Sequence, residues 1–154
     1  MTSTSQNTIN NSKTTITKIF ILSLVLTLIT SFGFAQDKKG VTITVTVENF
    51  LSDEGKAGVA LHTYQTFMKS NGLQNAESKI VDGKATFTFE NVLPGNYALL
   101  ALHDKNENGR MDFENGMPTE AYGTSNNSRG YGPPSYESSK FTVEKEDLDI
   151  SIRL

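Results

Sequence analysis

Val41-Thr42-Ile43-Thr44-Val45-Thr46-Val47 alternates β-branched apolar residues with threonine. Successive side chains of a strand leave on opposite faces, so Val41, Ile43, Val45 and Val47 are predicted to share one buried face and the threonines the other. Working outward, Ser52-Asp53-Glu54-Gly55 has turn chemistry, and Gly58 to Tyr64 resumes extended character with Val59, Leu61 and Thr63 on one face. Lys79 to Val81, a turn at Asp82-Gly83, and Ala85 to Phe89 read as a hairpin with Phe87 and Phe89 inward. Pro94-Gly95 makes a tight turn ahead of Tyr97 to His103, whose nearly continuous apolar run predicts a central strand covered on both faces. Lys140 to Val143 and Leu148 to Ile152 alternate again. Gln65 to Ser78 is open between a short helical turn and an irregular crossing, broken at Asn71-Gly72. Short strands between turn signals, with little helical periodicity, predict an all-β chain: a single antiparallel β-sandwich, immunoglobulin-like in its layering, of about seven strands.

Upstream of this region the chain reads as an address. A polar start containing Lys13 and Lys18 leads into the apolar run Ile19 to Ile29, then Gly33 and Ala35 stand three and one positions before a cut after Ala35. That order is the pattern of a secretory signal peptide over residues 1–35, leaving 36–154 as the β-sandwich domain. The competing reading is an uncleaved anchor, but the apolar run falls well short of the roughly 20 residues a spanning helix needs. The expectation is an exported protein, periplasmic or secreted, with no stable membrane span after cleavage.

Composition narrows the chemistry. Among 154 residues there is no cysteine, which removes disulfides, thiolate nucleophiles, zinc-thiolate and iron-sulfur sites and cysteine-ligated haem. With 14 basic and 17 acidic residues the net charge is −3, giving no basic surface for nucleic-acid phosphates. Metal chemistry is left to oxygen donors and the two histidines.

The long connection from Asp104 to Ser139 is far beyond the usual loop of roughly 4 to 6 residues, and loops of that length tend to be functional. It opens Asp104-Lys105-Asn106-Glu107-Asn108-Gly109-Arg110-Met111-Asp112, with oxygen-bearing side chains at relative positions 1, 3, 5 and 9 and glycine at 6. This is the start of a calcium-loop spacing, in which alternate oxygens wrap one point and the glycine allows the sharp bend. Asp104, Asn106, Asn108 and Asp112 are the expected side-chain ligands of Ca²⁺ and Arg110 a carbonyl donor. Position 12 is Asn115 where the full motif has a bidentate glutamate, and what precedes is a strand and not a helix, so no EF-hand follows. Glu114, Asn115 or Glu120 are candidates to complete the shell. The plainer alternative makes Asn108-Gly109 a hairpin turn among solvated acids.

His103 and the loop tyrosines Tyr122, Tyr131 and Tyr136 are candidate ligand-binding residues. Tyrosine pairs an apolar face with a polar tip, which suits a glycan or an envelope peptide or protein. The alternative is that the tyrosines fold back as lids over the edge of the sandwich. A nucleophile-elbow Gly-x-Ser-x-Gly is absent, and neighbouring strand residues such as His103 and Asp104 point apart.

Leu102 to Asp112, Met117 to Asn127 and Tyr131 to Tyr136 resemble the bacterial family called domain of unknown function 2141, a resemblance running from Val41 to Leu154. It implies an exported small β-sandwich and carries no established activity. More loosely, Ala85 to Tyr97 is similar to the strand-turn-strand of transthyretin-like and Cna-B-like sandwiches. The expected function is a non-enzymatic binding or interaction role at the cell envelope, with a loop ordered structurally by Ca²⁺. The rival is a small hydrolase or lyase using His103 with Asp112 or Glu120, which requires His103 to be exposed in a pocket with a carboxylate beside it.

Overall fold

The computed structural model describes residues 40–127 and 132–154. The signal-peptide reading of 1–35 and the assignment of Tyr131 to a ligand site both lie outside these residues.

β1 (Val41–Glu48) follows its sequence pattern: Val41, Ile43, Val45 and Val47 are buried, and each threonine is half-buried on the opposite face. β4 (Lys84–Val92) pairs antiparallel with it, setting Phe89 opposite Ile43 and Phe87 opposite Val45. The hairpin preceding β4 turns at Asp82 and Gly83, both at positive φ. On the other side of β1 lies β10 (Leu148–Arg153), with Ile152 opposite Val47. That pairing is parallel, so the first sheet, β10-β1-β4, is mixed where an antiparallel one was expected.

The second sheet is built on β5 (Gly95–Asp104). Its one side pairs with β2 (Lys56–His62), which pairs in turn with β3 (Gln74–Ser78), all antiparallel. The other side of β5 is divided: β9 (Lys140–Val143) takes Gly95 to Ala98, and β8 (Tyr122–Thr124) takes Leu100 to Leu102. Ala57, Val59, Leu61, Leu99 and Ala101 meet Ile43, Val45, Phe87, Phe89 and Ile152 of the first sheet in one hydrophobic core, closed at its margins by Phe50 and Ile80. Full burial of such side chains contributes about 1.5–3 kcal/mol each before chain entropy is charged against it. Thr63, expected to continue β2, instead starts the turns that cross to β3: Phe67 and Ser70 donate to the carbonyls of Thr63 and Thr66. Phe67 lies against His62 on the outer face of the second sheet.

The seam where β8 gives way to β9 is held by one hydroxyl. Ser125 Oγ accepts the Leu99 amide at 2.9 Å and donates to the Ser139 carbonyl, and both serines are fully buried. The neighbouring Asn127 reaches the free edge of β10, donating to the Ser151 carbonyl at 3.0 Å and accepting the Arg153 amide at 2.7 Å. An amide side chain thus occupies a strand edge that would otherwise present unpaired backbone groups. This approach needs Gly123, because a Cβ there would stand 2.5 Å from the Arg153 carbonyl oxygen.

The long connection is therefore structured at many points. Besides β8 it holds a two-stranded hairpin, β6 (Phe113–Glu114) and β7 (Met117–Pro118), and a single helical turn, Tyr136–Ser139, capped by Ser135. Asn115 and Gly116 form the hairpin tip with φ of 51° and 78°. Positive φ at both central residues is the tight two-residue turn that Asn-Gly favours.

Candidate functional site

β5 delivers His103 and Asp104 to the end of the second sheet, where alternation sends them to opposite faces. His103 turns inward, fully buried beside Phe50, with ring centroids 5.1 Å apart and edge to face. Its Nε2 donates to the Glu54 carbonyl at 2.8 Å, and Nδ1 has no hydrogen-bond partner among the described residues. It is not aimed into the acidic loop, so the pocket with an exposed His103 and an adjacent carboxylate, which the hydrolase reading requires, is not found at this position.

Asp104 starts the loop. Its carboxylate accepts the amide of Asn108 at 3.0 Å through one oxygen and that of Gly109 at 2.7 Å through the other. Asn106 Oδ1 accepts the Asn108 amide at 3.1 Å, and Asn108 Oδ1 accepts the Arg110 amide at 3.0 Å. Asn106 and Asn108 therefore each turn the backbone back two residues later, the local bond for which Asn is suited, while Asp104 spans four and five residues to close the wider curl. Glu107 and Gly109 sit at positive φ, 58° and 75°, and complete the curl. These turns bring four of the expected ligand residues together: the amide nitrogens of Asn106 and Asn108 lie 2.6 and 2.9 Å from Asp112 Oδ2. Asn108-Gly109 is thus part of a curled loop and not the tip of a strand hairpin.

Two further groups fix the loop to the sheets. Glu120, only 7% exposed, accepts the Lys105 amide at 3.0 Å and the Asp112 amide at 3.2 Å, one with each oxygen. Like that of Asp104, its carboxylate accepts two backbone amides, and it stands within the loop's own hydrogen-bond network. Glu114 and Asn115, the other candidates to complete the shell, belong to the exposed hairpin beyond. Lys56 pairs with Glu107 at 3.3 Å and Glu77 at 3.6 Å, and these carboxylates, Glu107 foremost, hold its ammonium above the usual lysine range. Gly55 is needed alongside, since a Cβ there would stand 2.3 Å from the Asp104 carbonyl oxygen.

The donor set is two carboxylates, Asp104 and Asp112, and two amide oxygens, a hard-oxygen set of the kind Ca²⁺ takes. Among the described residues no three acidic or histidine side chains are grouped to hold a metal. In the arrangement present, the amide N–H groups of Asn106 and Asn108 face Asp112 where a cation would supply positive charge. Turning either amide by half a rotation would bring an oxygen toward Asp112 but would give up the bond its Oδ1 accepts from the Asn108 or Arg110 amide, so a cation must replace that bond as well.

Of the candidate tyrosines, the described Tyr122 and Tyr136 are not gathered into one site. Tyr122 lines an apolar cavity on the outer face of the second sheet. Tyr136 lines a separate cleft with Tyr64, Asn96 and Lys140, donates its hydroxyl to the Asn96 carbonyl at 2.8 Å, and packs edge to face on Tyr64 and Phe67. Burial pushes its phenol upward from the ordinary value. Sequence reasoning missed Ser125 and Ser139, because a buried serine carries no pattern. It also missed the hairpin tip, although Asn115-Gly116 is a strong short-range signal for one.

Against known proteins, the sequence profile of DUF2141, described as an uncharacterized protein conserved in bacteria, matches residues 45–151. No curated protein and no solved structure gives a significant match. The chain belongs to the DUF2141 family.

Proposed function

We propose that this member of the DUF2141 family is an exported, non-enzymatic β-domain whose loop Asp104 to Asp112 is ordered by Ca²⁺ and which serves binding at the cell envelope. The observation that carries the reading is the convergence of Asp104, Asn106, Asn108 and Asp112 through successive side-chain turns. The side-chain turns give the loop its curl, so a cation entering it loses less of its binding energy to loop entropy and chiefly locks a shape that the loop already favours. Two carboxylates give few charges, and the expected dissociation constant is that of weak extracellular modules, on the order of 0.1 to 1 mM. Arg110 supplies a backbone carbonyl to the same shell.

Export rests on the order of charged, apolar and small residues in 1–35. The packing of His103 against Phe50 and Glu54 supports a structural role for that histidine over an acid-base one. A glycan or an envelope peptide or protein is the partner class, with Tyr136 in its polar cleft and Tyr131 as candidate contacts.

Amide hydrogen exchange of the loop, with EDTA and then with Ca²⁺, tests the cation reading. Slower exchange across residues 104–112 with Ca²⁺, lost in Asp112→Ala, is the expected result. Asp112 is the better site to change, because Asp104 also holds two loop amides itself. Equal exchange in both conditions contradicts it.

A further inference from the structure

The outer face of the second sheet carries a hollow that the cation loop does not explain. Met68, Leu100, Met111, Phe113, Met117 and Tyr122 line a cavity of about 460 Å³, inside the range of roughly 300–1,000 Å³ typical of small-molecule sites. Leu100 of β5 and Tyr122 of β8 place it on the face of that sheet turned away from the core. Its far wall is the hairpin of β6 and β7, which holds Phe113 and Met117 62% and 68% exposed. Large apolar side chains kept at a surface concavity are unfavourable unless something covers them.

We propose that this cavity binds a neutral apolar small molecule. Among the described residues no charged side chain lines it, so an ionic ligand would lose its water without gaining a counter-charge from them. Pro118, Pro133 and Pro134 in the wall have no N–H to offer, so a peptide laid there would bury backbone groups short of partners. Three methionines provide flexible, polarizable walls that adapt to an irregular apolar shape. The site is distinct from the cation reading but shares a segment with it, because Met111 and Phe113 flank Asp112.

The test titrates the purified protein with N-phenylnaphthylamine, an uncharged aromatic whose fluorescence rises on leaving water, first in EDTA and then in millimolar Ca²⁺. Saturable one-to-one binding, displaced by decanol, is expected. Met68→Lys and Met117→Lys, at partly exposed positions, should weaken it by about tenfold or more by placing a charge in the apolar wall. Met117→Leu, which conserves volume, should bind as wild type. Leu51→Lys, at an exposed position that does not line the cavity, should also leave binding unchanged. Binding in EDTA supports the cavity whatever the cation does, and binding only with Ca²⁺ supports the cavity and the cation loop together. No saturable binding in either condition overturns the proposal, as does binding that both lysine variants leave intact. Sedimentation showing that the cavity is closed by a second copy, with probe binding only to the monomer of an otherwise dimeric sample, also overturns it. The cation reading is decided separately, by hydrogen exchange in the absence of any apolar probe.

Discussion

Glu120 holds the amide of Asp112 at 3.2 Å with one carboxylate oxygen while its other oxygen holds Lys105 at 3.0 Å, so one buried side chain clamps both ends of the acidic loop. Glu120→Gln keeps the shape but sets an N–H₂ group against one of the two amides. The expected cost is roughly 1.5–3 kcal/mol in urea unfolding, the range for a hydrogen bond to a charged group. A loss below about 0.5 kcal/mol, the size of an ordinary surface change, would mean that the clamp adds nothing.

Ser125 performs the corresponding task at the seam between β8 and β9. Ser125→Ala leaves the Leu99 amide and the Ser139 carbonyl without this partner in a fully buried place, and about 2–4 kcal/mol should be lost. Equilibrium denaturation reads it directly. A variant as stable as the parent would show that the backbone closes the seam without the hydroxyl.

The alternation in β1 and β4 was legible because each strand presents one face to a core and the other outward, so chemistry repeats every second residue. β3 was not, since Gln74 to Ser78 lies at a sheet edge and only Ala76 in it is apolar. The parallel placement of β10 beside β1 was equally hidden, because Leu148, Ile150 and Ile152 would suit either direction of pairing. At the site, the spacing of Asp104, Asn106, Asn108 and Asp112 is reflected in their proximity, since Asn106 and Asn108 each make a local turn and Asp104 and Asp112 accept from the curl these turns create. Glu120 joins them from beyond the hairpin through a tertiary contact that no local spacing encodes.

His62 gives a pH dependence. Burial lowers its pKa from the ordinary 6.5, and the hydrogen-bonding partner Thr66 offsets this only in part. Between the folded value and 6.5 the unfolded chain binds the proton more readily, so stability is full above 6.5 and falls as pH drops toward the folded value. Melting temperature should therefore decline as pH falls below 6.5, and decline less in His62→Gln. An identical decline in the variant would assign the effect to other groups.

The most direct test of the cation loop is a thermal melt of the purified protein in EDTA, Mg²⁺ and Ca²⁺, with Asp112→Ala in parallel. At about tenfold above the dissociation constant, linkage predicts roughly 1.4 kcal/mol of stabilisation, which corresponds to a rise of several degrees in a domain of this size. The account predicts that rise with Ca²⁺, a smaller one with Mg²⁺, and none in Asp112→Ala. Superimposable melts in EDTA and in Ca²⁺ at about 10 mM, tenfold above the weakest affinity expected of such modules, would contradict it.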